Sequence, residues 1–151
     1  MEYDTVNNEE TILSSSFGSL LAAAKTYFAS ASSAKAAFCQ CLALCTAEGE
    51  QLICPIAADT VALLNEQARR VAFDLEQSGK PVAKIVCMWE SGGLDVPAGA
   101  FLKALCEASA ENRQAEILLR ADETAYAVKT VADVIGPTPD DKPENEYRFG
   151  V

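Results

Sequence analysis

Apolar residues recur along this chain in two spacings, one typical of helices and one typical of strands. Between residues 9 and 32 the apolar positions are three or four apart. They are Ile12, Leu13, Phe17, Leu20, Leu21, Ala24 and Phe28. This spacing predicts a first helix with one apolar face.

Two short apolar segments follow around a turn at Glu48 and Gly49. The sequences FCQCLALC (38–45) and QLICPI (51–56) predict a β-hairpin. On the predicted register one face carries Cys39, Cys41, Ala43, Cys45, Leu52, Cys54 and Ile56, and the other carries Phe38, Leu42, Leu44 and Ile53. Both faces are apolar, so we expect helices on both sides of the hairpin.

A second helix is predicted from an Asp59 cap to about Ser78, where Gly79 ends it. Its spacing turns one set of residues inward. They are Val61, Leu64, Ala68, Val71, Ala72 and Leu75.

The rest of the ordered chain alternates between strand and helix patterns. Residues 81–89 are almost continuously apolar, as in a central buried strand. Residues 95–107 predict a third helix capped by Asp95, residues 116–120 and 125–130 predict two strands, and residues 131–135 predict a helical turn.

The predicted order α-β-β-α-β-α-β-β indicates an α/β protein: a three-layer α/β/α domain with a mixed sheet of about five strands. With 151 residues, half of them hydrophobic, the chain can bury one core. We assign residues 9–136 to this domain and residues 1–8 to an N-terminal tail. After Gly136 the periodicity ends and three prolines appear, so residues 137–151 form an acidic, proline-rich C-terminal tail.

The charge composition excludes two classes of binding partner. Twelve basic and twenty-two acidic side chains give a net charge of −10, which repels nucleic-acid phosphates and anionic lipids. We therefore expect no nucleic acid and no membrane partner. No apolar run approaches the roughly 20 residues of a membrane-spanning helix. The first ten residues are acidic, unlike a signal peptide. A cytoplasmic protein is the expectation.

The chain has no histidine, which removes a common base and metal ligand, but it has six cysteines. Cys39, Cys41, Cys45 and Cys54 could share one sheet face, and four thiolates can bind zinc or an iron–sulfur cluster. Alternate positions on a flat strand hold their sulfurs apart, however. Buried cysteines that act as small hydrophobic residues are the preferred interpretation. A disulfide between hairpin positions would need an oxidising compartment.

Three segments, in order, resemble the small, homotetrameric-type cytidine deaminases. FCQCLALCTAEG (38–49) is similar to the family pattern Phe-x-Val-Gly-Ala-Ala-Leu-x-Thr-x-Asp-Gly. PAGAFLKAL (97–105) is similar to Pro-Cys-Gly-Ala-Cys-Arg-Gln-x-Leu. AEILLRADETAYAVKTVADVIGP (115–137) is similar to the two closing strands and Thr-Val-x-Glu-Leu-Leu-Pro. The resemblance implies a cytidine deaminase-like fold.

The resemblance also shows what this chain lacks. The family's zinc is held by a His or Cys two residues before a glutamate and by the two cysteines of Pro-Cys-x-x-Cys. The matching positions here are Leu64, Ala98 and Phe101, none of which has a donor atom for a metal. Only Glu66 remains, and a helical glutamate is more commonly a solvated surface residue. The resemblance therefore implies a divergent member with no metal and no cofactor.

The absence of zinc ligands determines whether hydrolytic deamination is expected. Zinc lowers the pKa of its bound water from about 15.7 to about 7, which corresponds to roughly 12 kcal/mol. A lone general acid or base such as Glu66 contributes about 3 to 5 kcal/mol. We expect no hydrolytic deamination.

Positions that bind substrate in the family are also changed in this chain. The family's ribose-binding Asn-x-Glu pair matches Ile56 and Ala58, whose side chains cannot bond a sugar hydroxyl. Phe38 falls where the family places a phenylalanine against the pyrimidine ring. The alternative role for Phe38 is a core aromatic at the start of a strand.

Three functions remain open. The preferred one is a catalytically inactive protein with a structural or interaction role in a homo-oligomer, because the family forms dimers and tetramers; Tyr147, Arg148 and Phe149 would then dock on a neighbouring subunit. The second is a binder of nucleosides or another small-molecule ligand. The third is a hydrolase that uses Glu66 and a cysteine without zinc.

Overall fold

The structure is a computed structural model that describes residues 5–30 and 36–136. Its strands are β1 (Thr5–Asn8), β2 (Phe38–Thr46), β3 (Gln51–Ala58), β4 (Val82–Trp89), β5 (Glu116–Asp122) and β6 (Ala125–Thr130). Its helices are α1 (Glu9–Leu13), α2 (Ser16–Ser30), α3 (Val61–Ser78), α4 (Gly99–Ala108) and α5 (Val131–Ile135), with a 3-10 helix at Ala110–Gln114. Within the described residues, no helix is both long and apolar enough to cross a membrane.

The strands form one mixed sheet in the order β1-β6-β5-β4-β2-β3. Only β4 and β5 are parallel neighbours within the described sheet. One face packs against α1 and α2, and the other packs against α3, α4 and α5. This confirms the predicted three-layer fold and its five strands, β2 to β6. The sixth strand, β1, differs from the expectation, because it lies within residues 1–8, which the sequence assigned to a tail.

The register of the hairpin differs from the predicted one. Leu42 lies opposite Cys54, whereas Cys41 lies opposite Pro55. Opposite residues share a face, so Cys54 points towards α3 while Cys39, Cys41 and Cys45 point towards α2. The prediction was wrong here because an error of one residue in the turn moves every β3 side chain to the other face.

Helix α3 begins one residue later than predicted. The Thr60 hydroxyl accepts the Leu63 N–H at 3.1 Å and caps the helix. Asp59, the predicted cap, instead accepts the Ala37 N–H at 3.2 Å. Val61 is the first helical residue and is 57% exposed, so it does not belong to the buried stripe as predicted.

One of the two edges of the sheet, at β3, is blocked. The Gln67 side chain accepts the Ala57 N–H at 3.2 Å and donates to the Ala57 carbonyl at 2.8 Å, as a neighbouring strand would. Two residues earlier, Pro55 has no N–H to offer. Both features discourage the pairing of β3 with another strand.

The predicted first helix is two helices, because the chain turns at Ser14 and Ser15. The Ser15 hydroxyl accepts the Phe17 N–H at 3.2 Å at the start of α2. Gly18 then packs directly on the backbone of Leu13: a Cβ at Gly18 would lie 2.1 Å from the Leu13 carbonyl oxygen. Only glycine allows this approach. Residues 31–35, where the predicted helix ended, lie outside the described residues.

Gly18→Ala should lower the free energy of unfolding by about 1 to 3 kcal/mol, because the new methyl group forces α1 and α2 apart. The matched control is Gly99→Ala in α4, where an added Cβ meets nothing within 4 Å. The control should be neutral or stabilising by up to about 1 kcal/mol. Urea unfolding measures both variants, and equal effects would show that Gly18 is not needed for close packing.

Candidate functional site

The segment between β4 and α4 is held by Trp89 and Asp95. One carboxylate oxygen of Asp95 accepts the Trp89 indole N–H at 3.0 Å, and the other accepts the Val96 N–H at 2.7 Å. Helix α4 then starts at Gly99, and its cap residue Ala98 makes no side-chain capping bond. Asp95 was predicted to cap this helix. It does not, because its carboxylate is used to position Trp89 instead.

Leu64 and Phe101 lie in the same apolar cluster on the α3 and α4 side of the sheet. Leu64 is 8% exposed and Phe101 is completely buried. Ala98 is partly buried and packs against the same cluster. The cluster also includes Leu102, Leu105 and Ile56. The structure therefore places hydrocarbon side chains at all three positions singled out in the sequence.

Glu66 points away from this cluster. It is exposed, whereas Leu64 and Ala68 on either side of it are buried. Residues two apart lie on nearly opposite sides of a helix, so an inward Leu64 requires an outward Glu66. The structure does not bring Glu66 together with Leu64, Ala98 and Phe101.

Phe38 starts β2 and is partly buried beside Trp89. The two ring centroids are 6.4 Å apart and the ring planes are tilted by 51°. Phe38 lies opposite Ala58 in β3, and both Ile56 and Ala58 are buried in the same apolar cluster. Trp89 was not singled out by the sequence, since an aromatic residue at the end of a buried strand has no distinguishing pattern.

Solved structures with the same architecture are cytidine deaminases. The enzyme from Mycobacterium leprae is 14% identical, with a TM-score of 0.59 over 82% of this chain and 99% of that one. A mutant form of the enzyme from Mycobacterium tuberculosis is 16% identical, with a TM-score of 0.60 over 85% and 99% of the two chains. The enzyme from Burkholderia pseudomallei is 22% identical, with a TM-score of 0.58 over 80% and 97%.

The chain has a cytidine deaminase-like fold. No family model matches the sequence. No curated protein matches it either. At these identities the similarity is one of fold.

A zinc ion does not fit the three residues that the sequence resemblance places at the ligand positions of cytidine deaminases. Leu64, Ala98 and Phe101 carry no donor atom, and the Phe101 ring is fully buried. Throughout residues 5–30 and 36–136, no three His, Cys, Asp or Glu side chains are grouped so that they could hold a metal ion.

The cysteines are thiols, and Cys39, Cys41 and Cys87 are buried. All six lie in the described part of the chain and none forms a disulfide. Burial, with a smaller effect of Cys54, raises the pKa of the Cys41 thiol to about 11. Burial also raises the pKa of Cys87, with Asp95 adding to the shift. These two thiols are neutral near pH 7 and are therefore poor nucleophiles and poor metal ligands.

Gln40 is a further buried residue that the sequence did not single out. It lies on β2 directly opposite Ile56 and Trp89, where the family pattern has valine. No described residue forms a hydrogen bond to its side-chain Oε1. The signal available in the sequence was a polar residue in a strand whose other residues are almost all apolar.

Phe101→Ala should lower the free energy of unfolding by about 3 to 5 kcal/mol, because it leaves a cavity in a closed apolar cluster. Lys103→Ala, on the exposed side of the same helix, is the control and should change it by less than about 0.5 kcal/mol. Chemical denaturation compares the two. A small effect of Phe101→Ala would mean that the ring does not fill this space.

Proposed function

We propose that this protein is a catalytically inactive cytidine deaminase-like protein with a structural or interaction role in a cytoplasmic homo-oligomer. The observation that carries the proposal is the apolar cluster at Leu64, Ala98 and Phe101, where zinc-dependent deaminases present metal ligands. A cation placed there would lose its hydration and gain no ligand, at a cost of many kcal/mol.

The outward direction of Glu66 supports inactivity independently. A general acid or base must come within about 3 Å of the proton that it transfers, directly or through one water. Glu66 is on the exposed side of α3, whereas Phe38 and Leu64 contribute to the buried cluster beneath it. A hydrolase that uses Glu66 with Cys41 or Cys87 is disfavoured for the same reason, since those two thiols are buried within the sheet.

Association through side chains is favoured over association through strands. The β3 edge is blocked by Gln67 and Pro55. Helix α3 in contrast exposes Phe73, which is 55% accessible, as well as Leu63. We propose that this outer face of α3 contacts a second copy. The three tail residues predicted to dock, Tyr147, Arg148 and Phe149, lie outside the described residues, so that part stays a prediction.

Light scattering during gel filtration should give the mass of a dimer or tetramer of the 16.1 kDa chain. Phe73→Ser should shift the equilibrium towards monomer, because it removes the largest exposed apolar side chain of α3. Gln77→Ser changes another exposed residue of the same helix and serves as the control.

The same preparation should convert no cytidine to uridine above the uncatalysed rate, followed by ultraviolet absorbance. A monomeric wild-type protein would remove the oligomeric part of the proposal. Turnover that purified with the protein would remove the inactive part.

A further inference from the structure

Gln40 is a buried amide whose acceptor atom is unused. The residue is 3% exposed, and its Oε1 has no hydrogen-bond partner in the part of the chain that the structure describes. Leaving a buried amide oxygen unpaired costs about 1 to 3 kcal/mol relative to an apolar side chain of the same shape.

The buried amide of Asn112 shows what a purely structural role looks like in this protein. Its Oδ1 accepts the Val82 N–H at 2.8 Å, and its Nδ2 donates to the Leu105 carbonyl at 2.7 Å. Asn112 therefore links the start of β4 to α4 with both ends satisfied. Gln40, at the opposite end of the same face, has no such partner for its oxygen among residues 5–30 and 36–136.

Two aromatic side chains border Gln40 on the same face of the sheet. Trp89 lies directly opposite it on β4, and Phe38 lies two residues earlier on β2. Both rings are partly exposed. Hydrogen bonding to Asp95 fixes the indole. Because Oε1 is buried, a ligand must displace a neighbouring side chain to reach it.

Among the described residues, two carboxylates lie near these rings. Asp95 accepts the Trp89 indole N–H, and Asp59 accepts the Ala37 N–H immediately before Phe38. The whole chain also carries a net charge of −10. An anionic ligand would be repelled here, whereas a cation would be attracted. Aromatic faces add to that attraction, especially for a flat cation.

We propose that Gln40, Phe38 and Trp89 form a binding subsite for a small, flat organic cation of the guanidinium or amidinium class. One N–H of the cation donates to Gln40 Oε1 while its plane lies against the two rings. The inference goes beyond the proposed function, because a structural role in an oligomer needs no ligand and association on α3 does not involve these residues.

Benzamidine is a suitable probe, since it combines an amidinium group with a flat ring. Trp89 is the only tryptophan of the chain, so its fluorescence reports on the proposed subsite directly. Titration of the full-length protein should give a saturable change with a dissociation constant of about 1 mM or lower. Cytidine, which is neutral, should bind more weakly than benzamidine.

Gln40→Met keeps the volume and removes the acceptor, and it should weaken benzamidine binding by at least about 10-fold. Gln77→Met, at an exposed position on α3, is the control and should bind like the wild type. Without ligand, the Gln40→Met protein should melt at the same or a higher temperature, because an unpaired amide has been replaced by an apolar side chain.

Three results would overturn the proposal. The wild type could show no saturable response to benzamidine, in which case the amide oxygen is satisfied by buried water alone. Gln40→Met could bind benzamidine unchanged. Gln40→Met could also lower the melting temperature without ligand, which would mean that the amide has a partner inside the protein. None of these depends on oligomeric state or on cytidine turnover, so failure here is distinguishable from failure of the proposed function.

Discussion

The packing of Leu64 and Phe101 between α3, α4 and the sheet is the interaction on which this structure most depends. In zinc-dependent deaminases a His or Cys and two further cysteines hold the metal. The sequence resemblance places Leu64, Ala98 and Phe101 at those positions, at the start of α3 and the start of α4. In this chain hydrocarbon joins the two helix starts, because Phe101 is fully buried and Leu64 nearly so. A buried phenylalanine removes about 150 to 250 Å² from water. At about 25 cal/mol per Å² this stabilises the domain by roughly 4 to 6 kcal/mol. Apolar packing can thus hold the α3 and α4 layer without a metal.

Much of the fold could be predicted from the sequence, because the apolar periodicity records burial directly. The strands β2 and β4 are apolar on both faces, and the structure covers both faces with helices. The strand β1 could not be predicted in this way: TVNN has no apolar alternation, and the segment is ordered by backbone pairing with β6. The hairpin register also escaped prediction, since it depends on a single residue in the turn, and Cys54 was therefore placed on the wrong face.

The candidate site could be predicted only in part. The apolar character of positions 64, 98 and 101 is visible in the sequence, and the outward direction of Glu66 follows from helical phase once Leu64 faces inward. The roles of Asp95 and Gln40 could not be predicted from apolar character or helical phase. Asp95 accepts a hydrogen bond from Trp89 instead of capping α4. Whether the Gln40 oxygen finds a partner is decided by side chains on β2, β3 and β4, which are distant in the sequence. Hydrogen-bond satisfaction is a property of the packed molecule and leaves no periodic signal.

The central claim is that this cytidine deaminase-like fold has exchanged metal coordination for apolar packing. The most direct test is the zinc content of protein expressed in zinc-supplemented medium, purified without chelators and measured by elemental mass spectrometry. The account predicts no zinc above the level of the buffer. Close to one zinc ion per chain, retained through dialysis, would contradict it.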